Sequence, residues 1–241
     1  MKFFNDILYY LSVPKCVNCG NRLAIEELAL CPECKREYDD VLERTCSICS
    51  RHLYECDCTN KYLDAHYVHH LIKVYRYLIR DIDLPTNKLI YSLKRDYRSD
   101  TVAFLSCELA KAIKASVKNP EECIFTSIPR RRASIIKYGM DHAQLLSRRT
   151  AKILGAEYKN LLNSRAKTEQ KKAGSREGRL KNTTFKIKNE SVDLTGKRVI
   201  LVDDIVTTGA SMGTAAMLIK SLGAKSITGA AIAIAYKDNG I

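Results

Sequence analysis

The sequence predicts an α/β protein in which a parallel sheet flanked by helices is preceded by a small cysteine-rich module. Three observations lead there. Eight of the ten cysteines fall between Cys16 and Cys58. Beyond them, short apolar runs alternate with stretches of helical periodicity, the pattern of strands joined by crossover helices. One run, residues 198–202, is almost wholly apolar, as expected of a strand covered on both faces. A chain of 241 residues is long enough for one sizeable core plus an accessory unit. The composition places the units at 1–62 and 63–241.

The cysteine unit comes first. Cys16 and Cys19, Cys31 and Cys34, and Cys46 and Cys49 form three C-x-x-C knuckles, and Cys56 and Cys58 form a C-x-C. A knuckle aims two thiolates at one ion and two knuckles complete a tetrahedron, so the spacing predicts Zn²⁺ rather than disulfides. Sequential pairing is simplest: Cys16, Cys19, Cys31 and Cys34 on one ion, Cys46, Cys49, Cys56 and Cys58 on another. An interleaved pairing also satisfies the spacing, and His52 is an alternative fourth ligand. The segment has little apolar content, so its folding is expected to depend on metal. His66, His69 and His70 lie outside the cysteine spacing and read as surface or packing residues.

The larger unit follows. Residues 71–77 read as a strand. Residues 87–95 and 101–117 read as helices, the second with Val102, Leu105, Leu109, Ile113 and Val117 at helical spacing. Residues 123–128 form a short apolar strand stopped by Pro129. A helix starting at Asp141 or His142 is closed by Gly155. Residues 156–161 suggest a strand and 163–183 a long basic loop. After the strand at 198–202 come a helix over 211–222 and a final buried strand over 226–235. No secretory signal or membrane span is evident, which points to a cytoplasmic protein.

Charge is unevenly placed. The formal net charge is +13, and residues 130–188 hold 17 Lys+Arg against 4 Asp+Glu, which accounts for the entire excess. A concentrated basic surface attracts phosphates or polyanions. Two functional classes fit it: an enzyme acting on a phosphorylated ligand, or a protein tracking single-stranded DNA through Arg131, Arg132, Lys137, Arg148 and Arg149, with Tyr138, Tyr158 and Phe185 interspersed to stack on bases.

Against that background the stretch VILVDDIVTTGAS at 199–211 stands out. Asp203 and Asp204 are expected just beyond the end of a buried strand, where open parallel sheets bind ligands. Thr207, Thr208, Gly209, Ala210 and Ser211 lead into a helix, whose free N–H groups favour an anion. Carboxylates do not grip phosphate, but they accept hydrogen bonds from vicinal hydroxyls or hold Mg²⁺. Both demands together specify a ribose 5-phosphate. The glycine patterns of dinucleotide sites and P-loops are absent.

This stretch resembles the phosphoribosyl-pyrophosphate signature of type I phosphoribosyltransferases. With the cysteine unit, the chain is similar to the ComF/ComFC family of bacterial competence proteins. SLKRDYRSD (92–100), IPRRRASIIKYGMDHAQLLSRRTAKILG (128–155) and KTEQKKAGSREGRLKNTTFKI (167–187) resemble further family segments. Where the family reads Gly-Phe-Asn-Gln, this chain has Gly139-Met140-Asp141-His142 and places its glutamine at Gln144. The resemblance implies a type I phosphoribosyltransferase-like sheet, with Asp203 and Asp204 addressing the ribose and Thr207 to Ser211 the 5-phosphate. It further implies pyrophosphate contacts from Pro129 and Arg130, and a basic loop bearing Lys171, Lys172, Arg176 and Arg179. It also implies Mg²⁺ with phosphoribosyl pyrophosphate, a part in DNA uptake during transformation, single-stranded DNA binding and a helicase-like operon partner. An active transferase with an unidentified acceptor is the alternative.

Overall fold

The computed structural model of the chain describes residues 14–46, 49–52, 55–77, 83–95, 98–131, 135–136, 139–165 and 184–235. Helix α1 (Pro32–Leu42) and the short α2 (Lys61–Ala65) precede strand β1 (Val68–Tyr77). Helices α3 (Pro85–Arg95) and α4 (Ser99–Ser116) lead to β2 (Ile124–Ser127). Helix α5 (His142–Ile153) follows, then β3 (Glu157–Tyr158), β4 (Leu162–Ser164) and β5 (Phe185–Ile187). The chain continues through β6 (Arg198–Val206), α6 (Ala210–Ser221) and β7 (Ser226–Ala235). Strands β1-β7-β6-β2-β3, in that order, form one sheet, and β4 and β5 form a separate antiparallel pair. Every pairing in the large sheet is parallel.

Side-chain alternation along β6 sorts the core into two layers. Ile200 and Val202 join Leu105 and Leu109 of α4 and Leu146 of α5. Val199 and Leu201 join Ala215, Ala216 and Ile219 of α6. Fully burying one such aliphatic chain contributes about 1.5–3 kcal/mol, so a strand contributing to both layers must be apolar throughout.

The cysteine unit is not a separate bead. Cys16, Cys31 and Cys34 belong to the same buried layer as Ile72 and Phe125 of the sheet. Tyr38 of α1, fully buried, packs edge-on against Tyr75 of β1 and Phe104 of α4 at centroid distances of 6.0 and 5.2 Å. Its hydroxyl donates to Glu108 at 3.4 Å.

Two strands differ from expectation. The strand read over 156–161 is only two residues long in the sheet. It pairs with β2 at Ile124 and Phe125, and β2 itself is short. The chain then departs and Leu162–Ser164 pairs with β5 instead. Strand β6, by contrast, continues four residues past Val202, because β7 stays alongside it to Ile234. Lys171, Lys172, Arg176 and Arg179, together with Arg132, Lys137 and Tyr138, lie outside the described residues. Among the described residues no helix is long and apolar enough to cross a membrane.

Helix α2 lies close against α6 because Gly213 has no side chain. A Cβ there would stand 2.7 Å from Tyr62 Cε1 and 3.1 Å from His66 Cβ. The two aromatic rings stack at a centroid distance of 4.1 Å over this spot. Gly213→Leu is expected to push α2 off and lower stability by about 1–3 kcal/mol, the usual cost of overpacking, read by urea denaturation. An unchanged midpoint would show that the close approach is not required.

Candidate functional site

The cleft arises from sheet topology. From β2 the chain runs through α5 to β3, toward one edge; from β6 it runs through α6 to β7, toward the other. These adjacent strands therefore send their connections apart, and a crevice opens at their carboxyl ends. Strand β2 ends at Ser127, opposite Val202. The last bond across is Ile128 N–H to the Val202 carbonyl at 2.9 Å. Asp203 and Asp204 come next, still paired to β7 on one side but with no strand across from them on the other. They sit inside the strand rather than beyond it, and it is the neighbour that has stopped. Each carboxylate accepts the following backbone N–H: Asp204 N to Asp203 Oδ1 at 2.9 Å and Ile205 N to Asp204 Oδ1 at 2.7 Å.

The resulting cleft, about 260 Å³, takes its acid wall from Asp203 and Asp204. Pro129, Arg130 and Arg131 form the wall left by β2, and Lys94, His142 and Ser211 reach in from α3, α5 and α6. Lys94 Nζ stands 3.8 Å from Asp204 Oδ2. Burial, then the charge of Asp204, pushes the Asp203 carboxyl well above the usual carboxylate range. The wall opposite is held in place by Asp141. One of its oxygens accepts the Arg130 N–H at 2.8 Å and the other caps α5 by accepting the Gln144 N–H at 3.1 Å. His142, nearly fully buried, lies 2.5 Å through Nδ1 from Arg130 Nη1. Burial and then the Arg130 charge lower its pKa, so it stays neutral and accepts from the guanidinium.

The loop at 207–211 adjoins this cleft. A second hollow of about 50 Å³ is bounded by Thr207, Thr208, Gly209, Ala210 and Ser211, and it shares Asp203 and Ser211 with the first. Gly209 has φ 81° and precedes the first residue of α6. A Cβ on it would lie 2.7 Å from Leu63 Cγ, so both its backbone conformation and its surroundings demand glycine. The loop is braced from behind by α2: Leu63 fills that space and Asn60 Nδ2 donates to the Thr208 carbonyl at 3.4 Å. The carboxylates and the first-turn amides of α6 thus border adjoining hollows, with the Ala210 N–H directed to Thr208 Oγ1 at 3.3 Å; such a set suits a sugar phosphate with Mg²⁺. The hard oxygen donors of Asp203 and Asp204 suit that ion.

The cysteines form two groups, Cys16, Cys19, Cys31 and Cys34, and Cys46, Cys49, Cys56 and Cys58. In each the sulfurs lie within 4.8 Å of one another. The sequential pairing is therefore the one the geometry supports. Cys19 and Cys31 sulfurs are 3.7 Å apart, close to the edge of about 3.8 Å for a tetrahedron with Zn–S bonds of about 2.3 Å. Both groups could hold zinc. His52 instead directs Nδ1 to the Glu43 carbonyl at 2.9 Å. The other histidines pair with Tyr62 O, Asp64 and Asp57.

Residues 144–240 match the phosphoribosyl transferase domain family. The chain carries a phosphoribosyltransferase-type domain. It is 35% identical over 80 residues to ribose-phosphate pyrophosphokinase 2 of Archaeoglobus fulgidus, covering 31% of this chain and 30% of that one. It is 35% identical over 81 residues to ribose-phosphate pyrophosphokinase of Pyrococcus abyssi, covering 34% and 24%. The chain thus spans less than a third of the length of these curated relatives. Similar solved structures include purine phosphoribosyltransferase from Pyrococcus horikoshii, with TM-score 0.36, 21% identity and coverage of 55% of this chain and 71% of that one. Another is adenine phosphoribosyltransferase from Thermoanaerobacter pseudethanolicus, with TM-score 0.38, 18% identity and coverage of 56% and 81%.

The residues expected to meet DNA are partly engaged elsewhere. Arg131 is exposed at the cleft. Arg148 lies over the Tyr158 ring at 5.5 Å and Arg149 donates to the Ser99 carbonyl at 3.2 Å. Phe185 is 5% exposed and packs in the core while touching the cleft, so little of its ring is open to a base, contrary to expectation. Lys94, Asp141 and His142 are cleft residues that the sequence did not single out. Lys94 lies within the segment SLKRDYRSD and His142 within Gly139-Met140-Asp141-His142, where the chain departs from the family pattern, but neither was assigned a role.

A carboxyl with a raised pKa opposes folding once it ionises. The stability associated with Asp203 is present below its unfolded pKa and is lost as pH rises through the higher folded value. Asp203→Asn is therefore expected to raise the melting midpoint by about 3 °C at neutral pH. The gain should vanish below about pH 4, where the unfolded carboxyl is also neutral. Thermal scans across pH measure this, and a lower midpoint at neutral pH would contradict it.

Proposed function

We propose that the chain binds phosphoribosyl pyrophosphate, or a closely related ribose 5-phosphate, with Mg²⁺. One observation carries this reading: two adjacent carboxylates and a helix-amide loop border adjoining hollows. Asp203 and Asp204 accept the ribose hydroxyls, Thr207 to Ser211 hold the 5-phosphate, and Pro129 and Arg130 face the pyrophosphate. Bound Mg²⁺ would offset the charge of a departing pyrophosphate. Arg130, held by Asp141 and His142, supplies fixed positive charge where that negative charge would develop.

The biological role we favour is that of a ComFC-like competence factor acting in DNA uptake, with the basic surface around Arg131, Arg148 and Arg149 binding single-stranded DNA and a helicase-like protein as partner. What supports it is the joint presence of the cysteine unit, the sugar-phosphate signature and the localised charge. A transferase is the second reading. It is favoured by an adjoining cavity of about 530 Å³ lined by Tyr77, Ile90, Tyr91 and Ile205, which shares Lys94, Arg130 and Thr207 with the sites above. A flat acceptor would fit between those rings and the ribose.

Calorimetry with phosphoribosyl pyrophosphate and Mg²⁺ tests the pocket. Asp203→Ala/Asp204→Ala should weaken binding by about 100-fold or more, since charge-assisted hydrogen bonds contribute about 1.5–3 kcal/mol each. Unchanged affinity in the folded double variant would refute the assignment. Oligonucleotide affinity should fall steeply with salt, with a log–log slope of about −0.7 per phosphate contacted. Arg148→Ala/Arg149→Ala should flatten that slope and spare the sugar phosphate. If the aspartate variant loses both ligands equally, the two sites are not separate.

A further inference from the structure

Lys73 is a buried charge without an obvious reason to be there. It lies in β1, is 2% exposed and is among the largest fully enclosed side chains. Its Nζ donates to the Cys58 carbonyl at 2.9 Å and the Leu71 carbonyl at 3.3 Å. Among the described residues no carboxylate lies within ion-pair distance of it. Carbonyls satisfy an ammonium's hydrogen bonds but do not cancel its charge, and an uncompensated buried cation costs several kcal/mol. What does face it is the second cysteine cluster: the carbonyl it holds at 2.9 Å belongs to Cys58, one of the four clustered cysteines.

The surroundings of this cluster are built to match. The backbone of the C-x-C rests on the sheet edge, with Leu71 N–H donating to the Asp57 carbonyl at 2.9 Å and His70 Nδ1 lying 2.8 Å from the Asp57 carboxylate. Arg51, half exposed on the outer side, is paired with the Asp57 carboxylate at 2.5 Å. Lys73 is thus the inward cation. The first cluster is served differently: Cys34 sulfur accepts from the neutral amide of Asn18 at 3.2 Å.

We propose that Lys73 is the built-in counter-cation of the second cysteine cluster, offsetting the net negative charge of four thiolates on a divalent ion and fastening that metal centre to the edge of the sheet. Metal and lysine are then mutually dependent. The ion gives the ammonium its compensating charge, and the ammonium makes four thiolates tolerable beside an apolar core. A partner of this kind, outside the ligand set, typically contributes 10- to 100-fold in metal affinity.

The test is zinc retention by the full chain against a chromophoric chelator, with stoichiometry read by native mass spectrometry. Wild type should hold two ions. Lys73→Met, which keeps the apolar stem, should hold one ion as wild type does and release the other at about 10- to 100-fold lower chelator concentration. Lys73→Arg should restore retention. Two ions held as tightly in Lys73→Met as in wild type, or fewer than two in wild type, would overturn the proposal. Should Lys73→Met fail to fold, wild type still decides: reductive methylation should spare Lys73 in the zinc-loaded protein and modify it after chelation. Equal modification in both states would overturn the proposal.

Discussion

Strand β6 outruns β2, and the site follows from that inequality. Had β2 continued beyond Ser127, the backbone at Asp203 and Asp204 would be paired on both sides. Because it stops, two consecutive residues of a central strand face open space while β7 still holds them straight. Each of their carboxylates accepts the next N–H in line. The same strand end delivers the chain into 207–211 and the first turn of α6, so acids and amides arrive at adjoining hollows without any long-range adjustment.

Placing two acids there has an electrostatic cost. The protein lessens it without removing it. Lys94 is close to Asp204 but not in tight contact, and Asp203 is left unfavourably buried. Across the cleft, Arg130 is oriented by a carboxylate on its backbone and a neutral imidazole on its side chain. One wall is thus short of positive charge and the other holds it at a distance. A ligand that brings its own cation and its own phosphates satisfies both.

Much of this was legible in the sequence because the signals were local. Continuous apolarity at 198–202 marked a strand buried on both faces, and the cysteine spacing marked two tetrahedra. The residues after the two acids marked a glycine turn into a helix N-terminus. What could not be read was relational. The end of β2 relative to β6 depends on pairing, so the acids were expected past a strand that in fact contains them. The two-residue β3 and the β4–β5 pair depend on where the chain leaves the sheet. Phe185 looked like a ring set among basic residues, but Leu162 and its neighbours enclose it. His142 and Lys73 carry no pattern of their own. Each acquires meaning only from a partner distant in sequence or on a neighbouring element.

Helix α2 gives the junction between the two halves an unexpected status. Cys58 closes one cysteine cluster, Asn60 touches the carbonyl of Thr208 two residues later, and Leu63 occupies the space that Gly209 leaves. Six residues of chain therefore serve both a cluster and the turn ahead of α6. A junction built this way does not permit modular exchange. A foreign cysteine unit grafted ahead of this domain would have to reproduce that short brace, and Gly209 and Gly213 would be the inherited scars of any ancestor that did.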